Sequence, residues 1–327
     1  MLTVSAKQLK KENQKKGIFH TNEKLALYLK TRMLDYVYEF KYGKITEIAD
    51  LCCGVGNLLK VFNDDAVKYG CDIEASFIKE ADKNIKGTFK CDSIFNEPFG
   101  NKRFKYITGN YPFSIPGDGK AVTQQLSSPV EFSNILDSAF IYANLKALTE
   151  DGLCLLLGFP GILYRSGKEK VFRKYLIDNN YLEAIEEIPA DKEFFDDTVI
   201  QTVLMVLRKN KTDDKITFIN QHGEKRAVSK KEIIENDYSL TVNSYIEHLT
   251  QKEEIDIQAN TYTLIASSIH NIVRNTELLE LTDMLEHIEE NKSFANMYIN
   301  MISCFCDEYK KDKKHAVAKY KNIDCLV

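Results

Sequence analysis

No stretch of this chain is apolar for long enough to cross a bilayer. The longest such run, Leu153–Phe159, falls far short of the roughly 20 residues a spanning helix needs. The N-terminus, MLTVSAKQLKKENQKK, lacks the apolar centre of a secretory signal. The eight cysteines follow no regular framework, which suits a reducing cytosol rather than a disulfide scaffold. An excess of positive charge is also missing. Lys and Arg number 44 against 48 Asp and Glu, a formal net charge of −4. Contact with nucleic acid must then come from local basic patches or a basic partner. There is no internal repeat and no low-complexity segment. These absences point to a cytoplasmic, globular protein. Its 327 residues, 44 % hydrophobic and 28 % charged, suffice for a full core in one large domain or two ordinary ones.

Residues 1–16 are basic and polar and read as an arm. Thr21 precedes a stretch with helical apolar spacing, LALYLKTRMLDYVYEF, and is a candidate N-cap. From about 45 to 209, short apolar runs alternate with helical periods. Strands are expected at ITEIADLC, VKYGCDI, TFKCDSI, FKYITGNY, GLCLLLGF, LEAIEEIP and IQTVLMVLRK. Helices are expected from Asn57, at FIKEADKNIK, over the whole of 129–150 and at GKEKVFRKYLIDN. Such alternation predicts an α/β fold with a mainly parallel sheet and helices on both faces. Ligands in such sheets sit beyond the C-terminal strand ends. After Lys209 the composition changes: 211–250 reads as a charged linker and mixed segment, and 251–327 as a helical C-terminal region.

The chemistry gathers at strand ends. The first strand runs into Asp50-Leu51-Cys52-Cys53-Gly54-Val55-Gly56, a loop whose small residues let the backbone approach a ligand. No Gly-Lys-Ser/Thr follows, which excludes a P-loop. Leu59 occupies the third position of the Gly-x-Gly-x-x-Gly pattern, which disfavours a pyrophosphate ligand. A ligand made of an amino acid and a nucleoside, S-adenosylmethionine, fits better. Asp72, 22 positions after Asp50, ends the second strand and is suited to ribose hydroxyls, with Glu74 as its rival. Asp92 ends the third strand and can accept from an adenine amino group, although each of these acids also suits a helix start or turn. The fourth strand runs into Gly109-Asn110-Tyr111-Pro112-Phe113-Ser114. Pro112 pushes Tyr111 to an extended conformation and aims its carbonyl outward. That carbonyl and the Asn110 side chain are two convergent acceptors for an exocyclic amino group, and Phe113 offers a face for a base.

Asp50–Gly56 and Asn110–Phe113 resemble motifs I and IV of S-adenosylmethionine-dependent adenine-N6 DNA methyltransferases, whose usual motif IV is Asn/Asp-Pro-Pro-Tyr/Phe. Gly17–Asn22 is similar to their motif X, normally Gly-x-Phe/Tyr-x-Thr-Pro; its place before motif I is the gamma order. Residues 131–209 and 237–246 resemble the modification (M) subunit of type I restriction systems, so the likeness covers roughly 17–250. It implies a Rossmann-like methyltransferase domain over 17–210. It also implies S-adenosylmethionine as cofactor and methyl transfer to N6 of a flipped-out adenine in double-stranded DNA, in restriction-modification or phage-type self-protection. By the same likeness Phe19, Thr21, Gly54 and Gly56 line the methionine end. Asp50 anchors the loop or the amino-acid amine, Asp72 takes the ribose and Asp92 the cofactor adenine. Asn110, Tyr111, Pro112 and Phe113 form the catalytic motif. Tyr111 and Asn22 stand where prolines are usual, and the Tyr111 carbonyl is expected to keep its role. The helical domain that precedes motif X in type I M subunits has no counterpart here, which leaves an orphan or mobile-element enzyme as an expectation. A specificity subunit is the expected partner, docked on the C-terminal region, and oligomerisation is compatible. Rival readings are an amino-group methyltransferase acting on RNA or protein glutamine, and a degenerate fold serving as a binding subunit.

Other features read as structural. Cys52 and Cys53 suit packing rather than nucleophilic attack. Cys304, Cys306, His315 and Cys325 lack a zinc spacing, so no metal is expected. His20 reads as structural, and Phe194 and Phe195 as packing residues that alternatively flank a flipped base. Basic patches that could grip DNA are Lys102/Arg103/Lys105, Arg165/Lys168/Lys170, Lys225/Arg226/Lys230/Lys231 and Lys310/Lys311/Lys313/Lys314. The loop 115–129 is a candidate lid.

Overall fold

The computed structural model describes residues 21–188, 194 and 201–246. The arm at 1–16, Phe19, His20, Phe195, the four-lysine patch, the Cys304–Cys325 set and the region 251–327 lie outside the described residues. The chain divides between Glu247 and His248.

A helix α1 (Glu23–Glu39) opens the described part, and its buried face, Leu25, Leu29, Met33 and Tyr36, recurs at helical spacing. Its N-cap is Asn22 rather than Thr21: the Asn22 side chain accepts from Leu25 N–H at 2.9 Å. The strands then follow as β1 (Glu47–Asp50), β2 (Val67–Asp72), β3 (Gly87–Cys91), β4 (Phe104–Asn110), β5 (Leu148–Gly158), β6 (Leu182–Ile188) and β7 (Thr202–Arg208). All seven overlap the runs expected from sequence. They form one sheet with β8 (Lys215–Ile219) and β9 (Lys225–Ser229), in the order β3-β2-β1-β4-β5-β7-β6-β8-β9. Pairing is parallel from β3 to β5, while β7 runs antiparallel to both β5 and β6. The central strands β5, β6 and β7 are buried almost throughout, which accounts for their unbroken apolar runs.

Short α2 (Asn57–Lys60) and α3 (Ala75–Asn84) connect β1 to β2 and β2 to β3; α5 (Asp137–Ala147) and α6 (Lys168–Asp178) flank β5. Strand order runs outward from β1 through β2 and β3, then restarts at β4 on the other side. With right-handed crossovers, this reversal puts α2 and α3 on one face and α5 on the other. It also opens a crevice at the C-terminal ends of β1 and β4.

One expected helix is corrected in extent. The helix predicted over 129–150 occupies only Asp137–Ala147. Upstream, Ser133 Oγ accepts from Ile135 N–H at 3.2 Å and donates to its carbonyl at 2.6 Å, turning the chain locally instead of into a helix. Downstream, Leu148–Glu150 start β5, with Leu148 in register with Phe104. The candidate lid contains a helix, α4 (Gly119–Gln125), capped by Asp118. It lies close against the chain after it: a Cβ on Gly119 would fall 2.2 Å from the Ser133 carbonyl.

Residues 211–246, read as linker and mixed segment, belong to the fold. Lys211 turns its side chain inward, its Nζ donating to the Leu182 carbonyl at 3.1 Å. β8 and β9 extend the sheet, α7 (Lys230–Glu235) follows, and Tyr245 packs on Phe218 with ring centroids 4.3 Å apart. Arg173, buried in α6, ties this segment down. Its guanidinium donates to the carbonyls of Tyr238 at 2.9 Å, Ile162 at 3.0 Å and Arg165 at 2.8 Å. A buried guanidinium is tolerable only with such partners. Replacing Arg173 with Ala is expected to destabilise the protein by about 3 kcal/mol, since three carbonyls lose a charged donor. Urea unfolding checks this.

Candidate active site

The loop after β1 is built on backbone positions that need glycine. Gly54 has φ +53° and Gly56 φ +86°. A Cβ at Gly56 would also lie 2.4 Å from Ile85 Cδ1. Leu59, which departs from the three-glycine pattern, is fully buried in the core. Asp50 Oδ1 accepts from Cys52 N–H at 3.1 Å. Asp72 braces the loop from β2: its Oδ2 accepts from Gly54 N–H at 2.9 Å and its Oδ1 from Glu74 N–H at 3.0 Å. A carboxylate has about four acceptor positions, so Asp72 retains capacity for a ligand. Glu74 accepts from Ser76 Oγ at 3.0 Å. Asp92 Oδ1 accepts from Ser93 N–H at 2.8 Å and Asn96 Nδ2 at 2.6 Å.

Thr21 joins the two sides of the crevice. Its hydroxyl accepts from Asn110 Nδ2 at 3.0 Å, and its carbonyl accepts from Asn57 Nδ2 at 2.8 Å. The chain before α1 is thereby attached both to the end of β4 and to the helix after the glycine loop. A cavity of about 610 Å³ spans the same crevice. Asp50, Asp72, Glu74 and Asp92 line it together with Thr21, Asn110 and Pro112, and Ile73, Ile94 and Phe95 add apolar surface. Three strand-tip carboxylates with apolar walls between them match a ligand that carries an ammonium group, a diol and an aromatic amine.

Tyr111 and Phe113 turn away from this cavity. Tyr111 is 1 % exposed, its ring stacked on Phe140 at 5.4 Å and 14°. Phe113 is 6 % exposed and meets Tyr111 edge-on at 5.6 Å. The expectation that Phe113 presents a face to a base is corrected here, because its ring is part of the core and does not line the cavity. The side chain that replaces the usual proline is accommodated by Gly158, where a Cβ would sit 2.8 Å from the Tyr111 hydroxyl.

Cys52 lines the cavity, and burial pushes its thiol, together with those of Cys53 and Cys71, upward, away from the thiolate a nucleophile needs. Phe194 packs on Tyr28 at 5.4 Å. Tyr28 in turn donates its hydroxyl to Glu186, which also binds Arg32 at 2.9 Å. The basic patches are mostly neutralised. Lys102 pairs with Glu47, Lys105 with Asp151, Lys168 with Glu131, Arg226 with Glu232 and Lys230 with Asp178. Arg165 turns inward to Asp137 and Glu169. Asp137, Glu169 and Asn57 escaped sequence reading, since nothing in their spacing relates them to motif IV, and Ser114, next to the motif, carries no local signal of its left-handed backbone. Among the described residues no group of His, Cys, Asp or Glu is placed to hold a metal, and no helix is long and apolar enough to cross a membrane.

This strand order, with its glycine loop and strand-tip acids, defines a Rossmann-like methyltransferase fold. The family described as N-6 DNA Methylase matches residues 6–232, and the chain belongs to it. The type I restriction enzyme MpnII methylase subunit of Mycoplasma pneumoniae is 30 % identical over 241 residues, 60 % of this chain and 42 % of that protein. The MjaVIII methylase subunit of Methanocaldococcus jannaschii is 28 % identical over 231 residues, 56 % of this chain and 36 % of that protein. The chain thus spans less than half the length of these relatives. The type I restriction-modification methyltransferase subunit from Streptococcus thermophilus shares the fold at a TM-score of 0.62 and 20 % identity, over 70 % of this chain and 59 % of that one.

Two outcomes are expected. Burial, opposed by the Cys52 N–H and reinforced by Asp72, raises the Asp50 carboxyl from 3.8 to about 7. Between these values the folded state holds a proton that the unfolded state has lost. Stability therefore falls as pH rises from about 4 to 7, on the order of a few kcal/mol, and Asp50→Asn removes that slope. Urea midpoints at several pH values measure it. Gly158→Ala is expected to cost about 1–3 kcal/mol by overpacking the Tyr111 hydroxyl, and Tyr111→Phe to recover most of the loss. Thermal unfolding of the double variant reads the coupling.

Proposed function

We propose that this chain transfers a methyl group from S-adenosylmethionine to N6 of an adenine in double-stranded DNA. The observation that carries the reading is the single cavity running from the strand-tip acids to Asn110 and Pro112. Membership of the N-6 DNA Methylase family supports the choice of adenine N6. The cofactor, when bound, supplies an electrophilic methyl group.

The residues present fit that ligand. Asp50 meets its amine or holds the loop that does. Asp72 and Glu74 face the ribose end, and Asp92 the base. The backbone at Gly54 admits the methionine portion without a side chain in the way, and Gly56 holds the turn that presents it. At the other end, Thr21 orients the Asn110 amide through its Nδ2. Asn110 Oδ1 and the Tyr111 carbonyl accept the two hydrogens of the target amino group and turn the nitrogen lone pair toward the methyl. No covalent enzyme intermediate is required, and the contribution of these groups is positioning and electrostatics. An amino group inside a base pair cannot reach such a pocket, so the adenine leaves the duplex.

We place the chain in a restriction-modification or related self-protection system, as the component that methylates. The relatives named as methylase subunits favour work alongside a specificity subunit. The expected test is long-read methylome sequencing of a host lacking adenine methylation, expressing the chain with and without a cognate specificity subunit. N6-methyladenine at a defined motif is expected, and Asn110→Ala is expected to abolish it with cofactor binding retained. Its absence in both strains, from folded protein that binds S-adenosylmethionine, overturns DNA as the substrate.

A further inference from the structure

The segment leaving motif IV is held by charged groups that the transfer chemistry does not use. Ser114 has a left-handed backbone, φ +54°, which costs any residue with a Cβ. Its N–H donates to Asp137 Oδ1 at 2.7 Å. Asp137 is fully buried at the start of α5. The same helix carries Phe140, on which Tyr111 stacks. Asn110–Ser114 is therefore attached to α5 at two points, one apolar and one ionic.

Arg165 closes the ionic attachment. It follows β5, and its Nη1 donates to Asp137 Oδ2 at 3.1 Å and to Glu169 Oε1 at 3.3 Å, while Nη2 reaches Ser114 Oγ at 3.4 Å. The route of this side chain is built in. A Cβ on Gly161 would lie 2.6 Å from the guanidinium carbon. The carbonyl of Arg165 is held in turn by the buried Arg173. Burial pushes the Asp137 and Glu169 carboxyls up, and the Arg165 guanidinium pulls them back toward the ionised form. An ionised Asp137 is the stronger acceptor for the Ser114 N–H.

We infer that Arg165 is a positioning residue for methyl transfer, setting the path of Asn110–Ser114 through Asp137 and Ser114 so that both motif IV acceptors face the target amino group. The inference rests on the proposed function for its catalytic consequence. Its structural core, that Arg165 maintains the left-handed Ser114, stands on geometry alone. Arg165 does not touch the cavity, so its loss separates transfer from cofactor binding.

The test uses the full chain with Arg165→Ala, Arg165→Lys and the double variant Arg165→Ala/Ser114→Gly. One readout needs no DNA: amide hydrogen exchange in peptides covering 110–118, followed by mass spectrometry. Arg165→Ala is expected to speed exchange there by about tenfold or more, with β1–β3 unchanged. The other readouts are S-adenosylhomocysteine affinity by calorimetry and single-turnover methylation of plasmid DNA from a host lacking adenine methylation. Transfer is expected to fall about 100-fold, as for a small misplacement of reacting groups, with affinity within about threefold of the parent. Glycine adopts positive φ freely, so Ser114→Gly is expected to restore much of both protection and transfer. Arg165→Lys keeps the charge without the two-armed reach and should fall between; if Arg165→Ala does not fold, it is read in the same way. Unchanged exchange at 110–118, equal losses of affinity and transfer, or no recovery with Ser114→Gly would each overturn the inference. A parent protein that methylates no DNA counts against the proposed function instead, and the exchange pattern with its reversal then decides the role of Arg165.

Discussion

The reversal of strand order between β1 and β4 is the constraint on which the rest of this molecule depends. Parallel strands on either side of it send their connections to opposite faces, and the chain ends between them diverge. Only there can backbone N–H groups, strand-tip carboxylates and a cavity share one place without a helix covering them. Asp50, Asp72, Asp92 and Asn110 are far apart along the chain. They converge because each terminates a strand on that side of the sheet.

A crevice of this kind has to be held open against collapse, and the bracing is polar. Asp72 spans from β2 to the glycine loop, and Thr21 spans from the segment before α1 to Asn57 and Asn110. Deeper in, the guanidinium of Arg173 gathers carbonyls from two separate segments, Ile162 and Arg165 after β5 and Tyr238 after α7. These groups are satisfied where they are buried, which makes them specific ties rather than losses. The sheet beneath supplies the bulk of the apolar burial through β5, β6 and β7. Stability and site precision thus come from different layers. The apolar strands hold the frame, and a few charged or amide groups set the geometry at its edge.

Much of this was legible in the residues. Runs such as GLCLLLGF and IQTVLMVLRK can be satisfied only in the middle of a sheet, and the strands fell on them. The Gly-x-Gly turn and the Asn110-Tyr111-Pro112 sequence carry local conformational demands that hold in any context. Illegible were the outcomes set by competition between neighbours. Ser133 takes 129–136 out of a helix that its apolar spacing suggested. Phe113 looked available to a base because its position in the motif says nothing of its burial against the Tyr111 ring. Residues 211–229 looked like linker because their charges are conspicuous, while the alternation of Ile216, Phe218 and Val228 that buries two further strands is short and easily masked. The basic clusters offered a candidate grip on phosphates beside the plainer reading of solvated surface, and only tertiary structure shows the carboxylates paired with those among the described residues.

The sequence by itself determined the succession of the first seven strands, the glycine turn and the chemical character of the first four strand ends, because propensity, periodicity and φ preference act over a few residues. Tertiary structure alone decided which of those ends meet. Contacts such as Thr21 with Asn110, Tyr111 with Gly158, and Arg165 with Asp137 join residues separated by tens of positions. No local preference encodes them. They exist because a mainly parallel sheet, once assembled in this order, brings those side chains within reach of one another.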